Sequence, residues 1–411
     1  MARRSSHVVG LDIGTTKVIV LIAEPVEGGG IEVIGVGTCP SRGMRKGVVV
    51  NLDACVSSIK QALEEAELMA GCSVDRAFVG VAGPHVRGLN SRGVVAISGR
   101  DHEVGRDDVQ RVLEAAGAVS IPPGRDIFHV LPQEFAVDDH TGIHDPVGMT
   151  GAKLVADVHI VTASVTAIQN LINGVNRAGV EVEAMVLEQL AASEAVVTQD
   201  EKDMGVALID IGGGTVSLVI FEHGAIRHIA VLPTGGEHIT SDIAVGLRTP
   251  IPEAERVKKR HGCALASLVD REDTIEVPTV GERKARVLSR QILCEIIQPR
   301  VEEIFSLIAE EFVRSGFDRA IHAGAVLTGG GSMLEGITEI AEDALDLPVR
   351  RAAPSEIGGL ADVVGTPQYT TAVGLALYGA RERSSAPQRA VQPYFFARMG
   401  DMVRLWLSEL F

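Results

Sequence analysis

The chain has 411 residues, 46% of them hydrophobic and 22% charged, which is enough for two to three domains of about 150 residues each. This composition excludes a largely disordered protein. Acidic residues outnumber basic ones by 54 to 38, giving a net charge of −16. Nucleic acid is therefore not expected as a partner, because phosphate backbones bind basic surfaces.

Five scattered cysteines without a CxxC pair predict neither a disulfide framework nor a zinc site, and they favour a reducing compartment. Asp12 and Lys17 interrupt the apolar run near the start, which argues against a signal peptide. No run reaches about 18 uncharged apolar residues, so no membrane-spanning helix is predicted. We expect a cytoplasmic protein.

Short β-branched runs alternate with helical patterns, as is typical of α/β proteins. Strand–turn–strand units are predicted at 7–23 and 206–221, and further strands at 76–82, 94–98, 158–163, 180–187 and 325–327. Helices are predicted at 54–70, 106–118, 166–177, 191–197, 253–261, 289–313 and 370–380. The segment 83–93 is predicted to be a loop, and the block from 94 to about 160 to be an inserted unit with its own small sheet.

One motif occurs twice, as VVGLDIGTTKVIVLIA (8–23) and VALIDIGGGTVSLVIF (206–221). Each copy predicts a β-hairpin whose tip lacks bulky side chains, so that backbone N–H groups can converge on phosphate oxygens. Glycine would permit both positive φ angles and close approach. Asp12 and Asp210 end the first strands and could together hold Mg²⁺ through water. Lys17, Thr15, Thr16 and Thr215 would add charge and hydroxyl groups for a triphosphate. A single copy could be only a tight hairpin, but two copies favour a phosphate site.

Three weaker signals accompany this motif. The turn VLTGGGSMLEG (326–336) could approach an adenosine group near a helix N-terminus, or be an ordinary βα turn. Glu255 and Lys258 share a helix face and could bracket ribose and adenine, although a solvated charged face is the simpler interpretation. Glu188 precedes a small-residue helix, where a carboxylate could position an attacking water or have no role.

Together with TTAVGLALYGA (370–380), these motifs resemble the phosphate, connecting and adenosine motifs of the actin/Hsp70/sugar-kinase ATPase superfamily. Within it, three segments are similar to the FtsA family of bacterial actin-like division proteins: SRGMRKGVVVN (41–51), TGGEHITSDIA (234–244) and TPIPEAERVKKRHGCAL (249–265). The resemblance implies an α/β, actin-like two-lobed ATPase fold of RNase H-like duplicated domains. It also implies an inserted small α+β subdomain and a C-terminal amphipathic helix.

The resemblance further implies how the chain is divided. The front-lobe core would comprise 1–84, 161–196 and 366–384, and the inserted subdomain 85–160. The rear-lobe core would comprise 197–225 and 300–365, with an outer rear-lobe subdomain at 226–299. A linker (385–393) and a membrane-targeting helix (394–411) would follow.

ATP and Mg²⁺ are the cofactors that the resemblance implies, with at most weak ATPase activity. Glu188 would take the place of the superfamily's water-activating glutamate, and Mg²⁺ would lie between Asp12 and Asp210. The cofactor-binding residues so implied are Asp12, Gly14, Thr15, Thr16, Lys17, Asp210, Gly212, Gly213, Gly214, Thr215, Gly235, Gly236, Glu237, Glu255, Lys258, Gly329, Gly330 and Gly331.

The last eighteen residues carry five of the 14 aromatic residues of the chain. At helical spacing their apolar side chains share one face, so the segment predicts a helix that lies in a membrane surface, with packing on the protein's own core as the alternative. Because Arg398 and Arg404 are balanced by Asp401 and Glu409, attraction to anionic lipid should be modest. The residues predicted to contact the membrane are Phe395, Phe396, Met399, Met402, Val403, Trp406, Leu407, Leu410 and Phe411.

The leading hypothesis is an ATP-binding actin-like protein that forms filaments on the cytoplasmic face of the inner membrane. The resemblance implies that it anchors the FtsZ ring, with the C-terminal peptide of FtsZ bound by 226–299, and that later division proteins bind the inserted subdomain. The alternatives are a PilM-like pilus-assembly protein or a sugar-kinase-type phosphotransferase, although no residue has a clear claim to be the base that a kinase needs.

Overall fold

The computed structural model describes residues 7–26, 28, 30–98, 101–278, 285–355 and 357–384. The predicted linker and membrane helix, with every membrane-contacting residue named above, lie outside these residues. No helix in the described part is long and apolar enough to cross a bilayer.

The strands, in chain order, are β1 (Val8–Ile13), β2 (Lys17–Pro25), β3 (Ile31–Pro40), β4 (Met44–Arg45), β5 (Val48–Val49), β6 (Arg76–Val81), β7 (Arg87–Ala96), β8 (Arg125–Val137), β9 (His140–Ile143), β10 (Lys153–Ser164), β11 (Glu181–Leu187), β12 (Val206–Ile211), β13 (Val216–Glu222), β14 (Ala225–Leu232), β15 (Thr274–Val277), β16 (Arg286–Ser289), β17 (Ala325–Thr328), β18 (Val349–Arg351) and β19 (Ile357–Gly359). The α-helices are α1 (Leu52–Ala70), α2 (Arg106–Gly117), α3 (Val165–Ala178), α4 (Glu188–Val196), α5 (Gln199–Met204), α6 (Gly236–Leu247), α7 (Ile251–His261), α8 (Arg290–Ser315), α9 (Ile337–Leu345), α10 (Ala361–Val364) and α11 (Thr370–Ser384). Short 3₁₀ helices lie at Ala266–Leu268, Asp318–Ala320, Gly330–Met333 and Pro367–Tyr369.

The front lobe is built on a six-stranded sheet of order β11-β6-β1-β2-β3-β19. Its central strands are runs of Val, Ile and Leu that are buried on both faces, because helices cover the sheet. Helix α1 packs on β3. Its N-cap is Asn51, whose side chain accepts from the Ala54 N–H, and its C-cap is Gly71 in the left-handed conformation. Helix α11 packs so closely on β1 that a Cβ on Gly10 would lie 2.5 Å from the Ala372 carbonyl oxygen.

The rear lobe repeats this plan in a five-stranded sheet of order β14-β13-β12-β17-β18. In both lobes an antiparallel hairpin, β1–β2 or β12–β13, lies beside a strand parallel to its first member, β6 or β17. The repeated sequence motif is therefore a repeated structural unit, and the predicted two-lobed α/β fold is confirmed. Helices α6, α7, α8 and α9 supply the residues that bury the apolar face of this sheet.

The inserted unit has a four-stranded sheet of order β7-β10-β8-β9, with α2 packed against it. It buries a small core of its own around Val112, Phe135 and Leu154. The predicted loop at 83–93 is wrong: Arg87–Ala96 is one continuous strand, paired with β10 from Arg87 opposite Thr162 to Ala96 opposite Lys153. Its first half lacks β-branched residues, so tertiary pairing rather than local propensity makes it a strand.

The elements absent from the sequence prediction include β3, β14 and α6. Strand β14 begins where we placed the outer rear-lobe subdomain, yet it pairs with β13 along its whole length. The core sheet of the rear lobe therefore continues to Leu232. The small-residue helix expected at 191–197 begins earlier, at Glu188, directly after β11.

Candidate functional site

The tips of the two repeated hairpins contact each other between the lobes. A Cβ on Gly213 would lie 2.3 Å from Cγ2 of Thr16, and one on Gly214 would lie 2.7 Å from Oγ1 of Thr15. Glycine is required here for space. The predicted positive φ angles are wrong for these turns, because Gly14, Gly212, Gly213 and Gly214 all lie outside the left-handed region.

A cavity of about 440 Å³ opens between the lobes beside these tips. Its volume falls within the range of small-molecule sites. The predicted residues that line it are Asp12, Gly14, Thr15, Thr16, Lys17, Glu188, Asp210, Gly212, Gly213, Thr215, Gly236, Glu237, Glu255, Lys258, Gly329, Gly330 and Gly331. Gly214 and Gly235 do not line it, since Gly214 packs against Thr15 and Gly235 against the Gly212 carbonyl.

Three carboxylates and one amine face one another in this cavity. Burial raises the pKa of Asp12 to about 7, with Lys17 opposing and Asp210 adding to the shift. Burial also raises the pKa of Asp210 to about 6, against a hydrogen bond from Thr371 and the charge of Lys17. The pKa of Glu188 is raised well above its usual value by burial and then by Asp12 and Asp210. Three buried carboxyl groups therefore face a single amine, so the cluster has too little positive charge to balance three ionised carboxylates.

Lys17 and Asp210 both form hydrogen bonds with residues at or just before the start of α11. Lys17 Nζ donates to Gln368 Oε1 at 3.1 Å, and Thr371 Oγ1 donates to Asp210 Oδ2 at 3.2 Å. Burial lowers the pKa of Lys17 to about 8, opposed by Asp12. Sequence reasoning missed Gln368, which lies just before α11, and Thr371, which lies in its first turn.

The glycine pair Gly235–Gly236 fixes the start of helix α6 to the rear-lobe hairpin. The N–H groups of Gly236 and Glu237 donate to the carbonyl oxygens of Gly212 and Gly213, at 2.9 and 2.8 Å. These two amides of the first turn are therefore already used within the protein. Their contact links α6 to the same tip that meets Thr16.

The three-glycine turn Gly329–Gly331 packs against the rear-lobe Asp-Ile-Gly segment. Gly329 has φ +81°, and a Cβ there would lie 2.1 Å from Asp210 Oδ1. A Cβ on Gly331 would lie 2.4 Å from Cγ2 of Ile211. These glycines let the turn after β17 close one wall of the cavity.

Lys258 and Glu255 do not form a solvated charged face. Lys258 Nζ donates to the Gly236 carbonyl at 2.9 Å, to Thr240 Oγ1 at 2.7 Å, and lies 2.6 Å from Glu255 Oε2. Burial lowers the pKa of Lys258, with Glu255 opposing. The exposed Lys259, which the sequence analysis missed although it is the next residue, also lines the cavity and lies 3.3 Å from Glu255.

Comparison with known proteins identifies the family. Residues 207–374 match the family model "Cell division protein FtsA", and residues 83–162 match "SHS2 domain inserted in FTSA". The cell division protein FtsA of Pseudomonas aeruginosa is 50% identical, covering 93% of this chain and 92% of that relative. FtsA of Escherichia coli (strain K12) is 40% identical, covering 98% of both.

Solved structures give the same fold at low identity. A PilM–PilN type IV pilus biogenesis complex matches with a TM-score of 0.65 at 18% identity, covering 92% of this chain and 99% of that one. MreB5 of Spiroplasma citri bound to ADP matches with a TM-score of 0.55 at 15% identity, covering 94% and 100%. PilM is similar to this chain in fold alone, whereas the FtsA relatives are 40–50% identical over more than 90% of the chain, so the FtsA resemblance is confirmed and the PilM alternative is not favoured. The chain belongs to the FtsA family of actin-like cell division proteins.

Proposed function

We propose that this chain binds ATP with Mg²⁺ in the cavity between its lobes. The observation that carries the proposal is that Asp12 and Lys17 of one lobe and Asp210 of the other line a single cavity. MreB5, which has the same fold, was solved with ADP and with AMPPNP. The nucleotide would bridge both lobes and favour the closed arrangement.

The donor set fits magnesium. No group of three or more His, Cys, Asp or Glu side chains among the described residues could hold a metal ion directly. Mg²⁺ commonly binds through one or two carboxylates, phosphate oxygens and retained waters, which matches Asp12 and Asp210. The ion would supply the positive charge that the buried carboxylates lack.

The other predicted residues would each contact a different part of the nucleotide. Lys17, Thr15, Thr16 and Thr215 would contact phosphate oxygens, with the hairpin glycines allowing close approach. Gly235–Glu237 would lie near the sugar-phosphate region, Glu255 and Lys258 near the nucleoside, and Gly329–Gly331 near the adenine.

Glu188 would position the attacking water of a weak ATPase. Burial and the nearby Asp12 and Asp210 raise its pKa, which disfavours the ionised form that accepts a proton from water and so fits a low rate. Positive charge entering the site would favour the ionised form.

We infer that the cellular role is in division, as the names of the FtsA relatives indicate. The chain would form filaments on the cytoplasmic face of the membrane, attached through 394–411. It would bind the C-terminal peptide of FtsZ through the outer rear-lobe subdomain expected at 226–299, and later division proteins through the inserted subdomain. These partners rest on the family resemblance.

Titration calorimetry on nucleotide-stripped protein tests the nucleotide proposal. We expect ATP to bind more tightly with Mg²⁺ than without it, and Asp210→Asn to abolish most of that difference. Asp139→Asn, the same change at an exposed carboxylate of the inserted unit, should leave it intact. No ATP uptake by the wild type, or equal behaviour of the two variants, would refute the proposal.

A further inference from the structure

Strand β8 of the inserted unit contacts both lobes through two side chains that are four residues apart, His129 and Gln133. At about 3.3 Å per residue, these positions are separated by roughly 13 Å along the strand. The pairing of β8 with β10 skips Phe128 and Gln133, leaving each out of the ladder. Such bulges re-aim side chains, and here one lies directly before His129 and the other is at Gln133 itself.

The first contact reaches the backbone next to Glu188. The N–H of Leu187 donates to His129 Nε2 at 3.3 Å, and Leu187 is the residue that precedes the first turn of α4. The Phe128 ring packs edge-on against the His129 ring, with 4.3 Å between centroids, which fixes the imidazole. Burial lowers the pKa of His129 to about 4, so the ring is neutral near pH 7 and Nε2 can accept. Through this hydrogen bond the inserted unit constrains the backbone directly before Glu188.

The second contact reaches the rear lobe at β14, the edge strand of its sheet. Gln133 Nε2 donates to the Ile226 carbonyl at 2.7 Å, and Asn90 Nδ2 donates to the Arg227 carbonyl at 3.3 Å. Gln133 Nε2 also donates to Asn90 Oδ1 at 3.2 Å. These amides satisfy carbonyl groups of an edge strand that, among the described residues, has no strand partner on its outer side. Relative movement of the lobes must therefore shift β8 or break these bonds.

We propose that His129 is a positioning residue for Glu188 and that β8 links the orientation of Glu188 to the arrangement of the two lobes. A partner that displaces the inserted unit would then change the rate of ATP hydrolysis more than the affinity for nucleotide. The proposal rests on the proposed ATP site for its catalytic consequence. The mechanical link itself depends only on the contacts of His129 and Gln133.

Kinetics on the full chain test the catalytic consequence. His129→Leu removes the acceptor, His129→Gln keeps one, and His140→Leu is the matched change at an exposed histidine of the same unit. We expect His129→Leu to lower the single-turnover hydrolysis rate about tenfold while Kd for ATP changes less than twofold, with His129→Gln close to wild type. The double variant with Glu188→Gln should be no slower than Glu188→Gln alone. A His129→Leu rate equal to that of His140→Leu, or additive losses, would overturn the proposal.

Hydrogen exchange tests the link without relying on ATP. His129→Leu should speed exchange in the peptide that contains Leu187, and Gln133→Leu should speed exchange there as well as in β14. Unchanged exchange at Leu187 in both variants overturns the link. If exchange responds but the wild type binds no ATP, the proposed function fails while the link between lobes stands.

Discussion

Gly213 of the rear-lobe hairpin and Thr16 of the front-lobe hairpin are in direct contact, because even a methyl group on Gly213 would come within 2.3 Å of Cγ2 of Thr16. The same turn carries the carbonyls that hold the start of α6. The close approach of the lobes at these tips therefore depends on the absence of side chains at Gly213 and Gly214.

Gly213→Ala should push the tips apart and weaken binding of ATP with Mg²⁺. Overpacking of this kind costs about 1–3 kcal/mol, so we expect Kd to rise roughly tenfold in calorimetry. Gly117→Ala is the control, since the nearest atom to a Cβ there is 3.9 Å away. Equal affinities for the two variants would contradict the requirement for contact between the tips.

Lys258→Met and Lys259→Met should have different effects although the two lysines are adjacent. Lys258→Met removes the buried cation nearest Glu255 and the donor to the Gly236 carbonyl, so we expect urea unfolding to show a loss of about 1–3 kcal/mol. Because Lys259 is exposed, Lys259→Met should change the free energy of unfolding little. It should instead weaken nucleotide binding, and this effect should decrease as salt is added. The distinction fails if both variants unfold at the same urea concentration.

Acid should destabilise the fold through two buried histidines. Burial lowers the pKa of both His129 and His159 to about 4, and for His159 the charge of His228 adds to this. In the unfolded chain each histidine has its ordinary pKa of 6.5 and takes up a proton below that pH, whereas in the folded protein it stays neutral until about pH 4. The free energy of unfolding is therefore retained above pH 6.5 and decreases as pH falls towards 4. Between pH 7.5 and 5 each histidine should cost about 2 kcal/mol. Urea unfolding of His159→Gln should show a weaker decline over this range, and a parallel decline would refute the assignment.

The tail should attach the protein to lipid through its apolar face. We expect sedimentation with liposomes to require residues 394–411 and to depend weakly on salt. Trp406→Glu should abolish pelleting, whereas Ser408→Glu, which adds the same charge on the polar side of the predicted helix, should not. Pelleting that persists without the tail would exclude this mode of attachment.

Much of the site could be predicted because its signals are local. The two Asp-Ile-Gly hairpins and the three-glycine turn carry their own spacing, and the structure brings them to one cavity. Gln368 and Thr371 could not be placed this way, because their role depends on where α11 packs relative to Lys17 and Asp210.

The fold was less predictable where tertiary pairing overrides local preference. Strand β7 begins with Arg-Gly-Leu-Asn, which has weak strand propensity, and it is held by ten consecutive pairs with β10. The burial of Lys258 was also invisible, because it depends on α6, which was not predicted, supplying Gly236 and Thr240 as partners.

A crystal structure of the protein with Mg²⁺ and a non-hydrolysable ATP analogue most directly tests the central claim, which is that the nucleotide binds between the lobes. We predict the triphosphate in the cavity beside the tips that contain Thr16 and Gly213, with Mg²⁺ within water-mediated reach of Asp12 and Asp210. An analogue bound elsewhere, or a cavity that stays empty at saturating analogue, would contradict the claim.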